Sequence, residues 1–150
     1  MLRSMGDDAA TDYPGSSLGL PPAGRGSLAS WRARIAALII DWVASLAVAT
    51  LLVGTGALRG GGWRGFVPLV VYVVEKAVLT WLTSASFGQL LARVAVVRLE
   101  GGPVGLWRAV VRALMVGVVV PAVVVGAERR GLDDLVLGTV VVNRTGGRTA

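Results

Sequence analysis

Arg34-Ile-Ala-Ala-Leu-Ile-Ile-Asp41-Trp-Val-Ala-Ser-Leu-Ala-Val-Ala-Thr-Leu-Leu-Val53 is the stretch whose reading decides the fold. From Ile35 onward it is apolar enough, and at roughly 22 residues to Gly56 long enough, to cross a hydrocarbon layer about 30 Å thick. One carboxylate, Asp41, interrupts it. A charge at that depth costs a few kcal/mol by insertion scales of about 2.5–3.5 kcal/mol, so it calls for a partner, an ion pathway or a packing role. Ser30 is suited to cap the helix start.

The composition around this stretch agrees with lipid as the solvent. Of 150 residues, 54% are hydrophobic and only 16% charged, and the mean hydropathy is +0.69. The apolar residues come in blocks and not in a 3.6 or 2 period. The length allows one domain. With no cysteine and no histidine, disulfides, thiolate nucleophiles, ordinary zinc sites and Ser-His-Asp triads are excluded, and neither cofactor, metal nor catalytic residue is expected. The net charge of +6 is almost all arginine. Those arginines flank apolar segments and form no tract or stripe, which argues against nucleic acid and for anionic lipid surfaces as the partner.

Along the chain, residues 1–30 carry Asp7, Asp8, Asp12, Pro14, Pro21 and Pro22 among many Gly and Ser and read as a disordered tail. No cleavable signal is visible, because the first apolar block starts only after residue 34. A short turn, residues 58–65, leads to a second span from Phe66 to about Ser84, with Glu75 and Lys76 near its middle. So short a turn makes the two spans an antiparallel hairpin. Arg93–Glu100 and Gly138–Asn143 are β-branched and read as strands outside the bilayer. Between them Trp107–Ala127 is a third apolar block, interrupted by Arg112, Gly117 and Pro121. The tail 144–150 is polar and loose. Trp31, Trp63, Trp81 and Trp107 lie near segment ends, where an aromatic belt belongs, while Trp42 is inside a span.

Charge asymmetry bears on topology. If the third block spans, the arginines divide eight against six between the two sides. If it bends back, they divide twelve against two, with only Arg59 and Arg64 outside. The positive-inside rule prefers the second arrangement, with the N-terminus and both strands cytoplasmic. Pro121, which removes a helix hydrogen bond, agrees with a bend. An ordinary third span with a proline kink stays open.

Arg34 and Asp41 fall on nearly one helical stripe with the small residues Ala37, Ala44 and Ser45, about 10 Å apart by the helical rise. Side chains lean toward the helix N-terminus, so Arg34 leans away from Asp41 and a direct salt bridge is left open. Lys76 on the antiparallel helix has matching depth and is the expected partner of Asp41. Glu75 is turned about 100° from it, toward another neighbour, another protomer or a wet cavity. Asp134, just after the third block, is placed to meet Arg34 if the C-terminal segment returns.

These residues carry a resemblance. Arg34 and Asp41 at the head of the first span, with Asp134-Leu-Val-Leu-Gly-Thr139 far downstream, resemble the RDD family of small bacterial membrane proteins, named for one arginine and two aspartates. Ser86-Phe-Gly-Gln-Leu-Leu-Ala-Arg-Val-Ala-Val-Val97 is similar to its Thr-x-Gly-Lys-x-x-x-Gly-x-x-Val-Val stretch, and Arg112 matches its arginine before the last apolar block. Gln89 stands for the common lysine, Ala92 for the common glycine and Asp133 for a frequent histidine. The final apolar block is short for the two helices that some members fit there. The resemblance implies an all-α membrane domain over residues 31–143 in a bacterial inner membrane: a transmembrane hairpin, a third segment that re-enters or spans, and a small cytoplasmic strand pair. It also implies possible transport of ions or small solutes, for example cation/proton exchange. With so few spans, transport requires a homo-oligomer. The alternative is a non-transporting scaffold or accessory subunit that binds another membrane protein. An enzyme acting on lipid is the least favoured reading. Arg34, Asp41, Glu75, Lys76, Arg112 and Asp134 form the expected ion pathway or charge network.

Overall fold

A computed structural model describes residues 13–60, 62–117 and 132–145. Helix α1 (Trp31–Val53) begins where Ser30 turns extended and its hydroxyl accepts the Ala33 amide at 3.2 Å, and it ends at Gly54. A single turn, α2 (Gly56–Arg59), and a 3-10 segment (Gly62–Phe66) lead to α3 (Val67–Thr83). Ser84, in the left-handed region at φ 58°, closes α3. Both α1 and the segment from Gly62 through α3 are long and apolar enough to cross a membrane.

The hairpin meets along two fourfold rows. On α1 the buried residues are Ala37, Asp41, Ser45 and Ala49. On α3 they are Pro68, Tyr72, Lys76, Ala77 and Thr80. Small side chains every fourth residue bring backbones close where lipid supplies no hydrophobic drive. Trp42, inside the span, stacks on Tyr72 with ring centroids 4.9 Å apart. Ile35, Ile39, Val43, Leu51 and Leu52 on α1 face outward, as do Val70, Val74, Val78 and Leu82 on α3, leaving an apolar perimeter.

Helix α4 (Phe87–Leu91) wedges against α1. A Cβ on Gly88 would fall 2.0 Å from the Ala37 carbonyl oxygen, so only glycine allows the approach. Strands β1 (Val94–Arg98) and β2 (Thr139–Asn143) pair antiparallel, Val94 opposite Asn143 and Arg98 opposite Thr139. Helix α5 (Leu106–Gly117) lies along α3, with Gly117 so near Val73 that an added Cβ would sit 3.0 Å from it. Helix α6 (Leu132–Leu137) then leads into β2. The chain is therefore back at the β1 end by residue 139. The expected bend at Pro121, and with it the course of the third block beyond Gly117, lies outside the described residues.

Two expectations change. The segment expected to be a disordered tail through Ser30 is bonded into the sheet from Gly26: Gly26 N donates to Asn143 O (2.8 Å), Ala29 N to Val141 O (2.9 Å), and Asn143 N to Ser27 O (2.9 Å). Its composition hid this because the bonds are backbone bonds, indifferent to side chain. Residues 1–12 lie outside the described residues. The second change concerns the position expected to want glycine. Ala92 is ordinary right-handed backbone at φ −75°, and it is Arg93 that takes the left-handed conformation, at φ 56°. Counting the family pattern from Ser86 also places its second glycine at 93. A small apolar core of Ala29, Val94, Val96, Val104, Ala109 and Val141, with Ala33 and Ala92 against it, joins the sheet to the first turn of α1.

Candidate functional site: two buried charge clusters

The first cluster surrounds Asp41, which is fully buried. Its Oδ2 accepts from Lys76 Nζ at 2.8 Å and from Ser86 Oγ at 2.6 Å, and its Oδ1 accepts from Gly88 N at 2.5 Å. The expected Asp41–Lys76 pair therefore forms, and it is joined by the start of α4. Ser86 caps that helix, accepting from Gln89 N, while the Gln89 side chain accepts from Ser86 N at 2.9 Å. Glu75 Oε1 accepts from Phe87 N at 2.9 Å. The first amides of a helix have no partners within it and carry partial positive charge. Here three acceptors from three places, Glu75, Asp41 and Ser86, meet the amides of Phe87, Gly88 and Gln89. Glu75 thus faces α4. Its other oxygen, Oε2, is buried without a hydrogen-bond partner among the described residues.

Lys76 also lies 5.2 Å from the centroid of the Tyr72 ring and 3.3 Å from Ser86 Oγ. A serine beside a lysine can be a nucleophile and its base. In this geometry Ser86 donates to Asp41, Lys76 donates to both, and all three groups are closed off from solvent.

The second cluster gathers side chains from α1, α5 and the α6–β2 segment. Asp134, fully buried, receives Arg34 Nη1 on Oδ2 at 3.0 Å, and on Oδ1 both Arg112 Nη1 and, at 3.1 Å, the Thr139 hydroxyl. Arg112 Nη1 also meets Asp133 Oδ2 at 3.1 Å and Thr139 Oγ1 at 3.2 Å. Arg34 Nη2 reaches the Val141 carbonyl at 3.4 Å, and its guanidinium lies 5.7 Å from the Trp31 ring centroid. Burial pushes the Asp134 carboxyl up, but Arg112 and Arg34 outweigh it and hold the group below the usual carboxylate range. Among the described residues, two cations face two carboxylates here. Arg34 bonds Asp134 and not Asp41, so the two clusters hold different partners on one helix.

Every expected network residue is thus placed: Asp41, Lys76 and Glu75 around α4, and Arg34, Arg112 and Asp134 beneath the sheet. Ser86, Asp133 and Thr139 are additional members. The Ser86-x-x-Gln89 spacing was a visible capping-box signal for the first. Among the described residues no group of three metal-type side chains is gathered.

The RDD family model matches residues 28–142. The chain belongs to the RDD family. The match spans Arg34, Asp41 and Asp134, the residues on which the resemblance rests; Asp41 sits at the centre of the first cluster, and Asp134, with Arg34 bonded to it, at the centre of the second. The RDD match begins within the segment bonded to β2, in agreement with an ordered start before residue 31. Together with the two apolar helices it supports a small membrane protein. No curated protein and no solved structure matched the chain.

Proposed function

We propose that this RDD protein is a membrane-embedded scaffold or accessory subunit, a hairpin fixed by two charge locks that offers its apolar perimeter to another membrane protein. The observation that carries this is the saturation of Asp41: both carboxylate oxygens are occupied by protein donors and none of the residue is exposed. A carrier of cations or protons needs an oxygen it can offer in turn. In this reading the chain lies in a bacterial inner membrane with the N-terminus, the sheet and the C-terminal segment on the cytoplasmic side. Support comes from the return of β2 to β1 and from the arginine asymmetry.

Cation/proton exchange by a homo-oligomer is the second reading, favoured by one atom, the Oε2 of Glu75, unpartnered among the described residues. Reconstituted vesicles separate the two. The scaffold reading expects no cation-coupled proton flux above empty vesicles. Flux that Glu75→Gln abolishes would establish the second reading instead. Cysteines introduced at Leu58, Glu100 and Thr145 test the topology: labelling of the last two from one side, opposite Leu58, is expected, and labelling of Thr145 from the Leu58 side overturns that arrangement.

A further inference from the structure

The register of the sheet lines up arginines at one end. Arg144 N donates to Arg93 O at 2.8 Å, one step beyond the Val94–Asn143 pair, so the two arginines are directly opposed. On the other side of β2, Gly26 N donates to Asn143 O, which brings Arg25 beside the same row. All three arginines are exposed, and none has an ion-pair partner among the described residues. Like charges directly opposite one another destabilise a strand pair. Arg93 adds a second penalty, since its φ of 56° suits glycine better than arginine. The charge opposition within the row is relieved by an anion outside it.

Its level in the fold identifies the anion. Ala92, the neighbour of Arg93, packs on the core that holds Ala29 and Ala33 at the first turn of α1. That turn carries Trp31, and the exposed Leu91 lies just before Ala92. Aromatic and apolar side chains beside cations mark the depth where acyl chains give way to headgroups. At the opposite end of the hairpin only Arg59 and Arg64 flank the turn, and Arg64 lies over the Trp63 ring, 5.7 Å from its centroid.

We infer that the Arg25–Arg93–Arg144 row is a docking surface for anionic phospholipid headgroups, which seats the sheet on one leaflet. Full-length protein in bilayer discs of equimolar phosphatidylglycerol and phosphatidylcholine, released for native mass spectrometry, supplies the test. Wild type should retain phosphatidylglycerol preferentially. Arg25→Gln/Arg93→Gln/Arg144→Gln should reduce that preference on the order of a hundredfold, at about fivefold per arginine. Arg59→Gln/Arg64→Gln should leave it unchanged. Arg93→Gly separates charge from folding, because it relieves the backbone while removing the guanidinium: it should fold at least as stably and still lose preference. An unchanged preference in the triple variant, or an equal loss in the Arg59/Arg64 pair, overturns the inference. So does displacement of the lipid by millimolar inorganic phosphate, which would make the row a site for free anions.

Discussion

The two charge clusters share one helix yet solve different problems. Around Asp41 a single carboxylate is matched by one ammonium, one hydroxyl and one helix-terminal amide, all supplied within residues 76–88. Around Asp134 two guanidiniums meet two carboxylates drawn from α1, α5 and α6. The first uses backbone polarity to settle a charge at depth and fixes where α4 enters. The second uses bulk charge balance near the sheet and fixes where the distant C-terminal segment ends. A buried charge here is a statement about which segments must stay together.

If each cluster holds its own elements, damage should stay local. The largest effects are expected for Asp41→Ala and Arg112→Met, each of which leaves opposite charge buried alone, at about 3–5 kcal/mol. Amide exchange should locate the damage: α4 opens first in the former and β2 in the latter. Simultaneous opening of both would mean one network instead of two. Gly88→Ala is expected next, since a methyl 2.0 Å from the Ala37 oxygen forces backbone to move, at about 1–3 kcal/mol or more. Detergent unfolding should register it as a loss confined to the α1–α4 contact. Arg34→Gln removes a charged bond to Asp134 while Arg112 remains, and should lose about 1.5–3 kcal/mol, seen as earlier release of β2.

Acid provides a milder contrast. Asp134 is held below its ordinary value, so the stability it contributes is fully present above its unfolded pKa, about 3.9. That contribution drains as pH falls through the lower folded value. Exchange protection of β2 should therefore hold at pH 5 and weaken only in stronger acid. Loss of protection between pH 7 and 5 would show that the cluster is governed by another group.

Much of this was legible in the chain. Block length and tryptophan placement marked both spans, Ser30 marked the helix start, and β-branched runs marked both strands. Depth matching paired Asp41 with Lys76, and a returning C-terminus paired Arg34 with Asp134. The reading was weakest at α4. Five residues give no periodicity, so neither its wedge against Ala37 nor the role of Glu75 as acceptor for Phe87 could be seen. Residues 26–29 escape the sequence because a short segment, joined to β2 mostly by backbone bonds and by one Ser27–Asn143 side-chain bond, leaves little trace among so many Gly and Pro. The left-handed position at Arg93 was legible, since the family pattern counted from Ser86 puts its second glycine there and not at Ala92.

The central claim is that Asp41 and Lys76 act as a lock whose value is mutual. A double-mutant cycle of Asp41→Asn and Lys76→Met, read by reversible unfolding in mild detergent, tests it most directly. Each single change should destabilise by about 3 kcal/mol or more, because it strands a buried charge. The double variant, with neither charge left and the Gly88 amide still capped by Asn, should recover most of that loss, giving a coupling of about 2–3 kcal/mol. Additive losses with no recovery would contradict the lock and return Asp41 to the role of a group kept for something that moves past it.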